Sequence, residues 1–329
     1  MIKQGHQPQT VAIAARDGYR LQGLLWQHAT SDHPVRPVVV INPATSVHSR
    51  YYARFAAFLY SHGFNVVTYD YRGIGGSRPR TLRGFNASWM DWGTQDFEGV
   101  LRFVAEGFPG QPVQVVAHSV GGFLIGLAES NHLISHVFTM GAQFAHWQDY
   151  AQERRLSMLW KWHVVMPTLA AVFGYFPGKR LGWMEDTPRG VVHDWTARHP
   201  RFEDAYRTGS RAMTAPERQG LVDRFAQMRG AILAVSMTDD EFGTVPAIER
   251  LLGYFTRSEA THLRIAPAML GLEAIGHFAF FNNRFEQSLW QIPLTWLQKG
   301  QVPDNAPGVV VTYPPTVNAA SSMIQSMTN

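Results

Sequence analysis

Along the chain, short and wholly apolar runs alternate with stretches whose apolar residues recur at helical spacing. Val38-Val39-Val40-Ile41 and Asn65-Val66-Val67-Thr68-Tyr69 show little in–out alternation, as expected of strands covered on both faces. Between them Tyr51, Phe55, Ala56 and Leu59 fall on one helical face over 50–62, and Gly63 supplies a C-terminal stop. The pattern continues with a helix over 91–106, a strand over 113–117, a helix from Val120 to about Glu129 and a strand over 136–140. Upstream, the runs 10–15 and 19–26 flank Arg16-Asp17-Gly18, where Asp-Gly marks a hairpin. Strand–helix repetition with short connections predicts an α/β fold: a mostly parallel central sheet with helices on both faces.

Around 141–229 the alternation breaks. Five Trp (147, 160, 162, 183, 195) stand there among Pro and Gly residues, which predicts an inserted helical cap over 144–228. The alternation then resumes with a strand at 231–236, a helix at 245–255, a strand at 262–266 and an amphipathic helix at 284–298. The core is therefore expected at 1–143 and 229–300. The Pro-, Ala- and Ser-containing tail, 301–329, is expected to be extended or disordered.

Composition narrows the class. With 329 residues, 45% hydrophobic and 16% charged, the chain can bury a large core and is neither disordered nor coiled-coil. The net charge of +4 is spread along the chain; Arg154-Arg155 and Lys179-Arg180 are isolated pairs, so no nucleic-acid partner is expected. The absence of Cys removes disulfides, thiolate nucleophiles and Cys-ligated metal, and leans toward a cytoplasmic location. No apolar leader is evident in 1–20, and no uncharged apolar run of about 18 residues predicts a membrane span. Oligomeric state is not readable.

The candidate chemistry centres on Ala117-His118-Ser119-Val120-Gly121. A Ser between a strand and a helix projects from a tight turn at the carboxyl end of the sheet, and small neighbours let the two backbones approach. Ala117 stands where the G-x-S-x-G pattern has Gly, and is small enough to serve. Alone, the motif could equally be a Ser cap before a helix; its place within the α/β alternation favours a nucleophile. Such a Ser needs a base and an orienting acid downstream. His277, between the last strand and the last helix, stands where the base belongs; His262, His193 and His199 are weaker candidates. The acid is expected after the strand 231–236, where Asp239 and Asp240 are adjacent, with Asp149 a remote third. Oxyanion donors are expected from the backbone of Val120 and, since Pro43 has no N–H, from Ala44 or alternatively Thr45. The Gly-rich 70–77 segment lacks a phosphate-loop pattern and reads as a structural loop beside the site. The 14 His show no metal-ligand spacing, and no metal or cofactor is expected.

Together, Ile41-Asn42-Pro43-Ala44, Tyr69-Asp70-Tyr71-Arg72-Gly73-Ile74-Gly75-Gly76-Ser77, His118-Ser119-Val120-Gly121-Gly122, Asp239-Asp240-Glu241-Phe242 and Ile275-Gly276-His277-Phe278 resemble the α/β-hydrolase superfamily over about 10–300. Within it they are similar to a bacterial group of predicted hydrolases related to the serine aminopeptidase and monoacylglycerol lipase-like branch. The resemblance implies a triad of Ser119, Asp240 and His277 under a cap. It implies no substrate, because one scaffold hosts esterases, thioesterases, lipases, peptidases and acyltransferases.

Acyl transfer through a covalent intermediate, deacylated by water, is the expected reaction. Trp147, Trp160, Trp162, Tyr175, Phe176 and Trp183 in the cap suggest an apolar pocket, and an apolar small-molecule ester of a small to medium acyl group is the expected substrate. Thioester or amide cleavage, or acyl transfer to another acceptor, would use the same triad. A non-catalytic binding protein on this fold is the remaining class.

Overall fold

A computed structural model describes residues 7–29, 35–197 and 199–316. The strands are β1 (Gln9–Ala14), β2 (Arg20–Trp26), β3 (Val38–Asn42), β4 (Asn65–Tyr69), β5 (Val113–His118), β6 (Ile134–Met140), β7 (Tyr175–Phe176), β8 (Thr187–Pro188), β9 (Ala231–Met237), β10 (Ala260–Ile265) and β11 (Val309–Tyr313). Nine of them form one sheet in the order β1-β2-β4-β3-β5-β6-β9-β10-β11. The six strands from β4 to β10 pair in parallel, and the sheet ends are antiparallel. The mostly parallel α/β architecture expected from the pattern is what the chain adopts.

The apolar runs explain the burial. Val38, Val40, Val67, Val115 and Ala117 face one core, while Val39, Ile41, Val66 and Val116 face the other. Period-two alternation is thus present but hidden, because both faces are covered. Helices Val120–Leu127 and 89–107 cover the first face. Helices Ala53–Ser61 and Gln291–Lys299 cover the second.

Several expected boundaries move for identifiable reasons. The last helix begins at Gln291 rather than 284, which places Pro293 at the third helical position, where its missing N–H has no intrahelical acceptor to lose. The helix expected over 91–106 runs from Trp89 to Gly107 with a π turn at Trp92–Phe97. In the segment expected to be cap, the helix Ala215–Gln227 instead packs on helix Val120–Leu127: Phe225 lies so close to Gly126 that a Cβ there would meet its ring at 2.0 Å. It belongs to the helical layer of the sheet. The tail also contributes structure, since β11 pairs antiparallel with β10 from Ala260↔Tyr313 to Arg264↔Val309. Residues 317–329 of the expected tail, and 1–6 of the N-terminus, lie outside the described residues.

The helix Arg155–Phe173, 19 residues long, is by length and composition apolar enough to cross a membrane; the sequence predicts no such span, because Arg155 and Lys161 interrupt the run. Here Met158, Trp162, Met166 and Ala170 on this helix are buried within a hydrophobic core cluster.

Candidate active site

Strand β5 delivers its chain to Ser119 and the helix Val120–Leu127 starts at once, so the turn between them is tight. Ser119 takes φ 55° and ψ −125°, a backbone region that non-Gly residues occupy at a cost of order 1–3 kcal/mol. The surroundings hold it there: Ser119 N–H donates to Met140 O at 2.9 Å and Gly122 N–H to Ser119 O at 3.1 Å. A Cβ on Gly121 would lie 2.5 Å from Asn42 O, so the helix can reach β3 this closely only with Gly. Ala117 is fully buried within β5, one of the strands whose carboxyl end forms the site.

The acid and base come from two loops at the same sheet edge. His277 Nδ1 lies 2.7 Å from Asp240 Oδ2, and Asp240 Oδ1 accepts the N–H groups of Phe242 and Gly243, each at 2.8 Å. Burial pushes the Asp240 carboxyl up, but the His277 charge, their hydrogen bond and those two N–H groups outweigh it and hold its pKa below the usual carboxylate value. Asp239 turns outward and accepts Ile275 N–H at 2.8 Å and Gly276 N–H at 2.9 Å. The adjacent carboxylates thus divide the work: Asp240 holds the imidazole and Asp239 holds the loop that carries it. Asp149 is engaged elsewhere, in a two-contact ion pair with Arg250. His262 bonds Ser236 Oγ at 2.8 Å within the sheet, and His193 and His199 are exposed.

With Nδ1 committed to Asp240, His277 keeps Nε2 for chemistry. Ser119 and His277 line one cavity of about 200 Å³. Among the described contacts Ser119 Oγ accepts a long hydrogen bond, 3.4 Å, from Gln143 Nε2 rather than bonding His277; such bonds commonly tighten only with substrate. Gln143 is a site residue the sequence reading missed. Its Oε1 accepts Ala145 N–H, which fixes the amide orientation, and only its position just after β6 could have drawn attention to it.

The oxyanion donors differ from expectation in one place. Val120 N–H opens its helix and has no acceptor among the described hydrogen bonds. Ala44 N–H, the expected second donor, is already given to Tyr52 Oη at 2.9 Å. Thr45, the alternative, also lines the cavity and its N–H has no acceptor among the described hydrogen bonds. Arg72 and Asp70 of the Gly-rich segment support the loops: Asp70 accepts Ser49 N–H at 2.7 Å and Gly76 N–H at 2.8 Å, and Arg72 pairs with Asp17 and Asp96.

The cavity walls are aromatic, though with a different set from the one expected. Trp162 and Trp183 line it, joined by Trp89 and Trp195. Trp160 is 64% exposed and Trp147 packs against the core. Tyr175 sits in the β7–β8 pair and Phe176 packs on Trp183. Trp160 and Trp162 are two apart on a helix, about 200° around its axis, so only one can face the cavity. Among the described residues no cluster of His, Asp and Glu is arranged to hold a metal.

Residues 33–243 match the model of a hydrolase family described as serine aminopeptidase, S33. The chain belongs to that family. No curated protein matches this S33-family chain in sequence. Its fold is similar to an esterase of Pyrococcus furiosus, at 14% identity and a TM-score of 0.54, with 89% of this chain and 91% of that one covered. The esterase domain of a Rhodothermus marinus protein is also similar, at 16% identity and a TM-score of 0.52, covering 89% and 98%. A puromycin-hydrolysing peptidase of Mycobacterium tuberculosis matches at 12% identity and a TM-score of 0.54 over 93% of this chain. The chain spans 41% of that peptidase's length. These likenesses establish the α/β-hydrolase fold, and the matched family is a family of hydrolases.

Proposed function

We propose that the chain is a serine carboxylesterase acting on small to medium acyl esters through Ser119, His277 and Asp240. The observation that carries this reading is Ser119 on a strained strand-to-helix turn, facing the same cavity as a His277 already oriented by a buried Asp240. In the reaction His277 Nε2 takes the Ser119 proton as Oγ attacks the ester carbonyl. The N–H groups of Val120 and Thr45 receive the developing oxyanion. His277 returns the proton to the departing alkoxide, and water, activated by the same imidazole, releases the acid.

Cavity size sharpens the substrate. About 200 Å³ is little more than the roughly 150 Å³ that takes a benzene ring. Short or flat acyl groups fit it; long chains would have to leave through its open side. The family description and the peptidase likeness support amide cleavage as a second reading. A panel of p-nitrophenyl esters from acetate to decanoate, with acyl-CoA and aminoacyl-anilide comparators, separates them. The esterase reading expects kcat/KM to peak among short chains; preference for an anilide or acyl-CoA over every simple ester would overturn it.

A further inference from the structure

The cap side of the cavity carries a cation, Lys161, that pairs with no carboxylate among the described residues. Lys161 stands between two Trp residues in the apolar helix Arg155–Phe173, at the first position of a π turn that spans Lys161–Val165. Ordinary α-helical turns precede and follow it. A π turn holds one extra residue and advances the side chains that follow; such turns recur at functional sites. Here Trp160 is left in solvent while Lys161 and Trp162 both line the cavity.

The Lys161 ammonium lies 4.4 Å from the centre of the Trp162 ring and 4.3 Å from that of Trp183. Ring faces attract a cation but accept none of its three N–H bonds as an oxygen would. Among the described residues no carboxylate lies within 4.0 Å of it, and its side chain makes no hydrogen bond. Glu241 is the cavity's other charged wall residue outside the triad, next in the chain to Asp240, and forms no ion pair with Lys161. The cavity thus offers an aromatic slot with a fixed, partly dehydrated ammonium whose donors are unspent. An anionic oxygen placed there would gain a charge-assisted bond in surroundings that screen it less than water does.

We propose that Lys161 selects esters bearing a carboxylate on the part of the substrate remote from the scissile bond, such as half-esters of short dicarboxylic acids. The inference rests on the esterase reading for turnover, but its binding half can be measured without chemistry.

The test uses the full chain with Ser119→Ala, which leaves an ester intact, and follows quenching of tryptophan fluorescence as monomethyl glutarate or its uncharged dimethyl ester is added. The proposal expects the half-ester to bind at least tenfold more tightly than the neutral ester. Adding Lys161→Met should remove that preference, and Lys161→Arg should restore most of it. Equal affinity for both ligands, or a preference untouched by Lys161→Met, would overturn the proposal. With Ser119 intact, p-nitrophenyl hemiglutarate should be turned over with a kcat/KM at least tenfold above p-nitrophenyl pentanoate, the difference lying in KM. Failure to hydrolyse either ester while the binding preference stands would count against the esterase reading and leave Lys161 as an anion site. If Lys161→Met does not fold, Lys161→Gln takes its place with the same expected outcome.

Discussion

His118 Nε2 lies 2.8 Å from the carbonyl oxygen of His277, so the residue before the nucleophile is tied to the residue that carries the base. A carbonyl can only accept, so Nε2 of His118 bears the proton and Nδ1 is free to accept. That Nδ1 is 2.8 Å from Tyr52 Oη, which itself accepts Ala44 N–H. One buried chain of hydrogen bonds therefore runs from the oxyanion loop through Tyr52 and His118 to the His277 loop. Tyr52→Phe should leave Ala44 N–H and His118 Nδ1 unpaired and cost roughly 1–3 kcal/mol of stability. Urea unfolding measures it; an unchanged midpoint would show that the chain of bonds holds nothing.

The two aspartates should separate cleanly in kinetics. Asp240→Asn keeps the shape but loses the charge and favours the wrong imidazole tautomer, an effect of roughly 10⁴-fold on kcat in a serine triad. Asp239→Asn weakens only the bonds to Ile275 and Gly276 N–H and should cost roughly tenfold or less. Steady-state kcat on p-nitrophenyl butyrate tests both, and a larger loss at Asp239 would exchange their roles.

Two buried histidines should make the fold acid-sensitive. Burial, and then the His277 charge, lowers His118 from 6.5 to about 3, and burial lowers His262 from 6.5 to about 4. Folded, both stay neutral while the unfolded chain takes up protons, so their stabilisation is complete above pH 6.5 and is lost as pH falls toward 4 and 3. At pH 5 each accounts for about 2 kcal/mol. Urea midpoints at pH 7.5 and 5 should differ accordingly, and His262→Gln should shrink the difference. A pH-independent midpoint would contradict this.

Arg72 should be a stability residue. It reaches Asp96 at 2.6 Å and Asp17 at 2.7 Å, and Asp96 is fully buried, with burial raising its pKa to about 7. Arg72→Met strands that carboxyl and should cost about 3–5 kcal/mol. Adding Asp96→Leu should recover part of the loss, which thermal unfolding would reveal; no recovery would mean that the pairing is not what Arg72 supplies.

Much of this site was legible because catalytic groups on a parallel sheet must sit at strand ends. The runs that became β5, β9 and β10 pointed to Ser119, the Asp239–Asp240 pair and His277 from order alone. The local pattern left the two aspartates open, since adjacent side chains differ only in which way the loop turns them, and only the resemblance to other hydrolases pointed to Asp240, the one that bonds His277. Ala44 misled for a similar reason: its N–H is spent on Tyr52, eight residues on in the chain, a pairing no local pattern encodes. The cap aromatics failed on helical phase, because Trp160 and Trp162 stand on opposite sides of one helix and only Trp162 lines the cavity.

The most direct test of Ser119 as an activated nucleophile is labelling of the folded chain with a fluorophosphonate, read by intact mass and peptide mapping. One adduct on Ser119, absent after Ser119→Ala and absent in the denatured chain, is the outcome predicted. A native chain that stays unlabelled, or one labelled equally with Ser119→Ala, would contradict the account.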